Sequence, residues 1–325
     1  MSAEPTSPSS PSPPSPVFTL RPRAGEITSV RHATIDLKES VLIGTSTGSI
    51  SLWDIETKRE FWTHSCDQSV LTFQAVSSLD AKPQDLISLC RQGSVRLWDV
   101  ETEKEKISFK VPDPGFCNLI PLSWNGNSFA VADREYGQVN VCNTLDGKIL
   151  SNLKVEEPKS RGMIMCLRCG KDQLVLGGCE DGSLVVWDGR RPDRELSIVK
   201  LFTESVMCLD YHIDSNHGVA GSPLKTLETF NFTQQCLVEK KYSTEIRNSG
   251  VASVAIRGDG RIMASGGWDY RIRVFGCKKG KPLAVLDYHS GTMQSIAFTS
   301  SSLAHYSNLM ISGSKDRRVS LWKLY

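Results

Sequence analysis

A pattern that returns about every 45 residues constrains this chain more than any other feature. The clearest copy, Ile262–Phe275, reads as a strand, a tight turn with glycines and an aspartate, and a second alternating strand. The last aromatic of that hairpin, or its replacement, recurs at spacings of 45, 44, 45, 43, 45 and 47, at Trp53, Trp98, Cys142, Trp187, Phe230, Phe275 and Trp322. Because one hairpin is not stable alone, seven copies predict a single all-β repeat structure.

The aromatic at the end of the repeat is often followed by aspartate. Trp53-Asp54, Trp98-Asp99 and Trp187-Asp188 carry the pair intact, and such a pair at this period is the signature of four-stranded propeller blades. The chain therefore resembles the WD-repeat family over residues 17–325. The resemblance implies a seven-bladed WD-repeat β-propeller. Residues 1–16 contain six Pro and six Ser, and we expect them to form a disordered tail.

The two ends of the repeat region predict how the ring closes. Residues 17–20 resemble an outer strand that has no blade before it, whereas the seventh blade ends at its third strand, 319–324. We therefore predict that the N-terminal strand completes the last blade. Closure of this kind removes sheet edges that would otherwise pair with other chains.

Charge and hydropathy exclude several classes of function. The chain has 38 basic and 36 acidic residues, a net charge of +2, and the two signs are mixed along its length. This balance argues against a dedicated nucleic-acid binder. The sequence shows neither the roughly 20-residue apolar run of a membrane span nor the layout of a signal peptide. We therefore expect a soluble, monomeric propeller of the cytoplasm or nucleus, with no membrane or nucleic-acid partner.

The ten cysteines are expected to be free thiols in a reducing compartment. Cys166 and Cys169 have the spacing of half a zinc site. Residues three apart on a strand point to opposite faces, so we expect the two sulfurs to diverge and bind no metal. The chain also has no phosphate-binding glycine loop followed by Lys-Ser or Lys-Thr, and we expect no cofactor.

Aspartates stand at the central turns of three blades. Each lies six residues before the strand-end aromatic, at Asp181, Asp269 and Asp316. The family resemblance implies a structural tetrad in blade seven, made of His289, Ser312, Asp316 and Trp322. His64 is a candidate for the equivalent histidine of blade two. A hydrolase triad uses the same three residue types, but we interpret this set as a buried hydrogen-bond network and expect no enzyme.

Because the sequence predicts no catalytic, metal or cofactor site, we expect the rims of the propeller to bind other proteins. Two connections between blades, 155–162 and 239–250, are longer than the others. We predict partner contacts there, and an ordinary solvated loop is the alternative interpretation. The candidate residues are Arg161, Lys240, Lys241, Tyr242 and Arg247.

A closer resemblance is carried by five segments. They are Gly267–Phe275, Lys281–Leu286, Gly313–Tyr325, Met165–Arg168 and the Pro-rich start. They are similar to the guanine nucleotide-binding protein subunit beta-like protein 1 group, to which fungal ASTRA-associated proteins are related. The resemblance implies a non-catalytic adaptor of the triple-T cochaperone assembly in the maturation of phosphatidylinositol-3-kinase-like kinases. Since residues 1–16 hold no heptad, no G-protein γ subunit is expected.

A second function remains open from the sequence. Trp187-Asp188-Gly189-Arg190 fits the Trp-Asp-x-Arg box with which substrate receptors dock the adaptor of a cullin-type ubiquitin ligase. In that case Trp187, Asp188 and Arg190 would form the docking site. The box is short, and it arises by chance in many propellers.

Overall fold

The computed structural model is a ring of seven four-stranded antiparallel sheets, which confirms the predicted propeller. It describes residues 14–324 except 24, 77–84, 123, 125, 126, 136, 301–305 and 307. These described residues contain 28 strands, the short helix α1 (Pro158–Arg161) and a 3-10 turn at Arg91–Gly93. Of the tail predicted for residues 1–16, residues 1–13 lie outside the described ranges.

Blades one to four follow the chain in order, from an inner strand to an outer strand. Blade one consists of β2 (Ile27–Ile35), β3 (Lys38–Thr45), β4 (Ser49–Asp54) and β5 (Glu60–Ser65). Blade two consists of β6 (Val70–Ala75), β7 (Asp85–Cys90), β8 (Ser94–Asp99) and β9 (Lys104–Lys110). Blade three consists of β10 (Ile120–Pro121), β11 (Ser128–Asp133), β12 (Gln138–Asn143) and β13 (Ile149–Leu153). Blade four consists of β14 (Ile164–Cys169), β15 (Leu174–Cys179), β16 (Ser183–Asp188) and β17 (Ser197–Lys200).

Blades five and six repeat this order, and blade seven closes the ring. Blade five consists of β18 (Cys208–His212), β19 (His217–Gly221), β20 (Thr226–Phe232) and β21 (Val238–Glu245). Blade six consists of β22 (Val251–Ile256), β23 (Ile262–Gly267), β24 (Ile272–Gly276) and β25 (Lys281–Leu286). Blade seven consists of β26 (Met293–Phe298), β27 (Leu309–Ser314), β28 (Val319–Lys323) and β1 (Phe18–Leu20).

The closing strand β1 pairs antiparallel with β28, as predicted. Thr19 lies opposite Ser320 and Leu20 opposite Val319, and the Val17 N–H donates to the carbonyl of Leu321 at 2.8 Å. Leu20 is only 2% exposed and packs in a cluster that also contains Ile27 of the next blade. The first strand of the chain thus closes both the last sheet and the seam between blades seven and one.

Burial follows the position of each strand in its sheet. Every residue of β15 is buried because second strands are covered on both faces by neighbouring blades. The outer strand β9 instead alternates exposed charged or polar residues with the partly buried Ile107 and Phe109. Seven clusters of buried apolar residues each join two neighbouring blades, so the core is divided among the seven seams.

A belt of small polar side chains links the inner strands. Each belongs to one blade and bonds a backbone group of the next, which holds neighbouring inner strands in register. The six bonds join Thr72 to Leu119 N (3.3 Å), Asn118 to Leu167 N (2.9 Å), Cys166 to Val206 O (3.4 Å), Cys208 to Val251 O (3.8 Å), Ser253 to Ile296 N (2.9 Å) and Ser295 to Val30 N (3.1 Å).

All ten cysteines are free thiols, as predicted. Cys166 Sγ donates to the Val206 carbonyl of blade five, whereas Cys169 Sγ donates to the Pro121 carbonyl of blade three at 3.3 Å. The two sulfurs therefore point away from each other and cannot bind one ion. Burial raises the pKa of Cys169 to about 11, which keeps this thiol protonated. Within the described ranges, no helix is long and apolar enough to cross a bilayer.

Candidate partner-binding site

In blade seven the histidine, serine, aspartate and tryptophan form one hydrogen-bonded chain. His289 Nδ1 lies 2.9 Å from Asp316 Oδ2, and its Nε2 lies 2.9 Å from Ser312 Oγ. The indole of Trp322 donates to Ser312 Oγ at 2.8 Å, and the Ser290 N–H donates to Asp316 at 3.0 Å. This hydrogen-bonded network thus links the connection from blade six to the central turn and the third strand of blade seven.

Burial, and not the direction of these bonds, makes the hydroxyl of Ser312 inaccessible. The Asp316 carboxylate only accepts, so Nδ1 of His289 carries the hydrogen and Nε2 accepts the hydroxyl of Ser312. His289 is 5% exposed and Ser312 is fully buried. A substrate carbonyl therefore has no access to Ser312 Oγ, and the arrangement stabilises the blade rather than a transition state.

Blades four and six use other residues at the position of His289. Arg161 Nη1 donates to Asp181 Oδ2 at 3.1 Å from the connection before blade four. Asn248 Nδ2 donates to Asp269 Oδ2 at 2.8 Å from the connection before blade six, and Arg273 Nη2 lies 2.6 Å from the same oxygen. A hydrogen bond to the turn aspartate from a side chain of the preceding connection is therefore a repeated feature of this ring.

In blade two a cysteine occupies the position proposed for His64. Trp98 Nε1 donates to Ser88 Oγ at 2.9 Å, as Trp322 does to Ser312, but Cys66 Sγ is the second neighbour of that hydroxyl at 3.7 Å. His64 lies two residues earlier on the outer strand β5, with its ring 5.0 Å from that of Trp98. The prediction for His64 is wrong because the connection, rather than the strand, carries this position.

The three turn aspartates predict an acid-sensitive fold. Burial opposes ionisation, but the hydrogen bonds to Asp181, Asp269 and Asp316 outweigh it and lower the pKa of each carboxyl from the ordinary 3.8. A lowered folded pKa adds stability that is present above the unfolded value and is lost as pH falls through the folded value. We expect the midpoint of thermal unfolding to fall steeply below about pH 4, as measured by circular dichroism.

Variants of the same aspartates test this assignment. Asp316→Asn is expected to cost about 1–3 kcal/mol of unfolding free energy at pH 7 and to flatten the acid limb of the profile. Asp193→Asn, at an exposed position of the turn after β16, is the matched control and should leave the profile unchanged. An equally steep acid limb in Asp316→Asn would show that this carboxylate does not contribute to it.

Most of the proposed partner-contact residues make hydrogen bonds or ion pairs within the molecule. Arg161 ends α1 and is paired with Asp181, as described above. Lys240 Nζ lies 3.2 Å from Glu228 Oε2 and 3.2 Å from the Leu201 carbonyl. The hydroxyl of Tyr242 donates to the Cys277 carbonyl. These three side chains tie neighbouring parts of the ring together.

The loop predicted for 239–250 is largely a strand. β21 extends over Val238–Glu245, so Lys240, Lys241 and Tyr242 lie on the outer edge of blade five and not on a rim. This correction has a physical reason, because an outer strand has one solvated face and its charged residues then read like a loop. Arg247 does lie in the connection that follows, and it is exposed, as is Lys241.

The Trp-Asp-Gly-Arg box lies on the rim formed by the turns between first and second strands and between third and fourth strands. Trp187 is completely buried, and its Nε1 donates to the Lys154 carbonyl at 2.7 Å. Both guanidinium bonds of Arg190 to Asp188 are 2.8 Å long. Arg190 has a side chain that is 59% exposed, so it is the most accessible member of the box.

The opposite rim, here called the upper rim, carries exposed aromatic residues around the central channel. It is formed by the turns between second and third strands and by the connections between blades, and it includes Arg91, Phe116 and Trp268. Phe116 is 58% exposed and follows Gly115 in the connection before blade three. The Arg91 guanidinium lies 4.9 Å from the centre of its ring. This pair forms one side of the channel mouth.

Trp268 contributes to the mouth from blade six. Its backbone N–H donates to the Gly250 carbonyl at 2.9 Å. The indole lies so close to Gly250 that a Cβ there would come within 2.3 Å of it. Gly250 also has a φ of +93°, which favours glycine. Trp268 is nonetheless 43% exposed, and Tyr270 in the same turn is 46% exposed. The backbone thus holds a large aromatic surface toward solvent.

Below this mouth lies a channel of about 610 Å³, lined by the inner strands. Its upper part carries the partly buried Met165 and Met207, and deeper residues include Arg31, Arg168 and Asp210. A concave cavity that combines apolar, small polar and a few charged side chains, bordered by Trp and Arg, is a candidate binding site.

Sequence reasoning missed this site. Trp268-Asp269 is a Trp-Asp pair outside the repeat position, seven residues before Phe275, and that displacement was a usable signal. Phe116 gave no comparable signal. Arg31, Arg168 and Asp210 are charged residues within the inner strands β2, β14 and β18, where apolar residues are the rule, so they also could have been recognised.

Known proteins that are similar to this chain share its propeller architecture. The family profile "WD40: WD domain, G-beta repeat" matches residues 240–276 and 280–323. The β-propeller domain of Cps50 (Swd1) from Myceliophteria thermophila superposes with a TM-score of 0.78, covering 96% of this chain and 100% of that one at 16% identity. This likeness concerns the fold alone.

Two curated proteins are similar in sequence. The mouse "Guanine nucleotide-binding protein subunit beta-like protein 1" is 31% identical over 294 residues, which cover 87% of this chain and 86% of the mouse protein. "ASTRA-associated protein 1" of Schizosaccharomyces pombe is 46% identical over 79 residues, 24% of this chain and 20% of the yeast protein. The first similarity spans nearly the whole ring, and the second spans about a quarter of it.

Proposed function

Because this chain belongs to the WD-repeat family, in the branch that contains guanine nucleotide-binding protein subunit beta-like protein 1, we propose that it is a non-catalytic protein-interaction scaffold whose upper rim binds partners. The observation that carries this proposal is the aromatic pair Phe116 and Trp268, exposed by 58% and 43% at the mouth of the channel. Aromatic residues are enriched at protein interfaces, and Trp is enriched among binding hot spots.

The sequence relatives support a class of partner. Similarity to "ASTRA-associated protein 1" supports a place beside large kinase assemblies, as an adaptor of the triple-T cochaperone assembly in the maturation of phosphatidylinositol-3-kinase-like kinases. A scaffold role agrees with the internal use of His289, Ser312 and Asp316, which leaves that set without a substrate-facing hydroxyl.

Affinity purification from cells tests the proposal with rim variants. Phe116→Ala and Trp268→Ala are each expected to lower recovery of triple-T subunits at least about 10-fold, because truncation of a hot spot costs about 2 kcal/mol or more. Arg59→Met, at an exposed position between β4 and β5, is the control and should recover them normally. Normal recovery with both aromatic variants would contradict binding at the upper rim.

A second arm separates this function from the ubiquitin-ligase alternative. Arg190→Ala removes the exposed member of the Trp-Asp-Gly-Arg box and leaves the upper rim intact. We expect unchanged recovery of the cochaperone subunits. Selective loss of a cullin adaptor from the Arg190→Ala sample would instead support the receptor function.

A further inference from the structure

The seven inner strands place one residue each at an equivalent register position, and five of the seven residues line the channel. The position is defined through the second strand of each blade. One second-strand residue lies opposite the strand-end aromatic or its replacement. The next residue along the second strand lies opposite the inner-strand residue in question. The seven residues, from blade one to blade seven, are Arg31, Gln74, Ile120, Arg168, Asp210, Ala255 and Ala297. We call this set of positions the charged tier. Residues far apart in sequence meet here because the ring closes.

Two of its three charged residues are paired with each other. Arg168 Nε lies 2.7 Å from Asp210 Oδ1. Asp210 also accepts the N–H of Tyr211 at 2.9 Å and the N–H of Ile256 at 2.7 Å. The carboxylate is therefore used by one guanidinium and two amides of its surroundings.

Arg31 is left without a carboxylate partner in the described part of the chain. Its one hydrogen bond there runs from Nη1 to the Val30 carbonyl at 3.4 Å, although a guanidinium can donate five. Burial and the neighbouring Arg168 lower the pKa of Arg31 to about 10, although Asp210 acts in the opposite direction, and Arg31 remains charged at neutral pH. Arg31 is thus partly buried and shares the one carboxylate of the charged tier with Arg168, and a cation so weakly compensated favours an added anion.

The charge balance specifies what kind of anion. Arg31 and Arg168 against Asp210 leave one surplus positive charge in the charged tier, which a single carboxylate would neutralise. A polyphosphate would bring more negative charge than this tier can balance. His32, the other titratable group at this depth, is already bonded through Nε2 to Glu39 at 2.6 Å. Arg91 adds a further positive charge at the mouth.

Space and surface chemistry specify how the carboxylate would be presented. Ala255 and Ala297, the tier residues of blades six and seven, line the channel with small side chains and so leave more of its width free than a larger residue would. The path from the upper rim passes the aromatic residues Phe116 and Trp268 and then Met165 and Met207. An acidic side chain flanked by apolar or aromatic residues fits both parts of this path.

We propose that the channel binds a segment of a partner polypeptide, inserted from the upper rim, whose aspartate or glutamate carboxylate pairs with Arg31 while its apolar neighbours contact Phe116, Trp268 and the two methionines. This inference rests on the proposed scaffold function and gives the partner a chemistry. Arg31 supplies the counter-charge, and the aromatic mouth supplies apolar contact area.

The experiment is a selection of 12-residue peptides displayed on phage against the full chain, followed by fluorescence polarisation with a synthetic copy of the most enriched peptide. We expect enriched peptides to combine an acidic residue with an aromatic or aliphatic one. Arg31→Met should weaken binding at least about 30-fold, because removal of one partner from a buried ion pair is costly. Arg59→Met should bind normally.

A carboxylate-to-amide change in the peptide provides the matched test. It should weaken binding by wild type as much as Arg31→Met does, and it should have little further effect on Arg31→Met. Ala297→Glu places a carboxylate in the charged tier itself and is expected to abolish peptide binding. This second variant keeps the test decisive if Arg31→Met does not fold.

Three outcomes would overturn the inference. They are enriched peptides without an acidic residue, undiminished binding to Arg31→Met, or no enrichment while inorganic phosphate raises the melting temperature in an Arg31-dependent way, which would identify a free anion as the occupant. Affinity purification from cells distinguishes failure of the channel proposal from failure of the proposed scaffold function. Cochaperone recovery that survives Arg31→Met but is lost with Trp268→Ala would keep the upper rim as a binding site and reject the channel.

Discussion

A chain that lacks residues 1–20 is expected to lose at least about 4 kcal/mol of unfolding free energy and to self-associate, because β1 supplies both buried apolar surface and the edge pairing of blade seven. Leu20 is 2% exposed and contributes to the seam between blades seven and one. Removing β1 also frees the N–H and C=O groups of β28 that face Thr19 and its neighbours. Urea unfolding and light scattering measure the two effects.

A shorter deletion separates the strand from the tail. A chain that begins at residue 14 keeps every pairing of β1 with β28, and we expect it to unfold at the same urea concentration as the full chain. If the deletion through residue 20 remained monomeric and equally stable, closure by the first strand would not be needed for the ring.

Trp187→Ala is expected to cost about 3–5 kcal/mol, the usual range for truncating a fully buried large aromatic residue. Its side chain is completely buried in the seam between blades three and four. Gly177 leaves the space that the indole occupies, since a Cβ there would lie 2.7 Å from the ring. The variant also leaves the Lys154 carbonyl without its indole donor. Thermal unfolding followed by circular dichroism measures the loss.

Trp268→Ala is the matched control, because it removes the same side chain from another Trp-Asp pair. Trp268 is 43% exposed, and we expect its removal to change the unfolding free energy by no more than about 1 kcal/mol. Its effect should appear in partner recovery instead. Equal losses of stability in the two variants would contradict the division between a packing tryptophan and a binding tryptophan.

The number of blades was predictable because it depends on a local repeat. Each blade is a meander of neighbouring strands, so the period reported the architecture even where Cys142 replaces tryptophan in blade three. The closing strand was predictable from its likeness to other outer strands. Lys240, Lys241 and Tyr242 were misplaced because an exposed outer strand carries charged residues as a loop does. Cys66 was missed because a thiol gives no sign of standing where His289 stands in blade seven.

The sequence by itself determined the seven-blade ring, its closure by the first strand and the aspartates of the central turns, because all of these depend on short-range pattern. Only the tertiary structure decided what lies in the channel. Arg31, Arg168 and Asp210 belong to blades one, four and five, and no interaction along the chain relates them. They share one space because closure brings every inner strand to a common axis, where a charge left unpaired by its neighbours becomes a place for a partner.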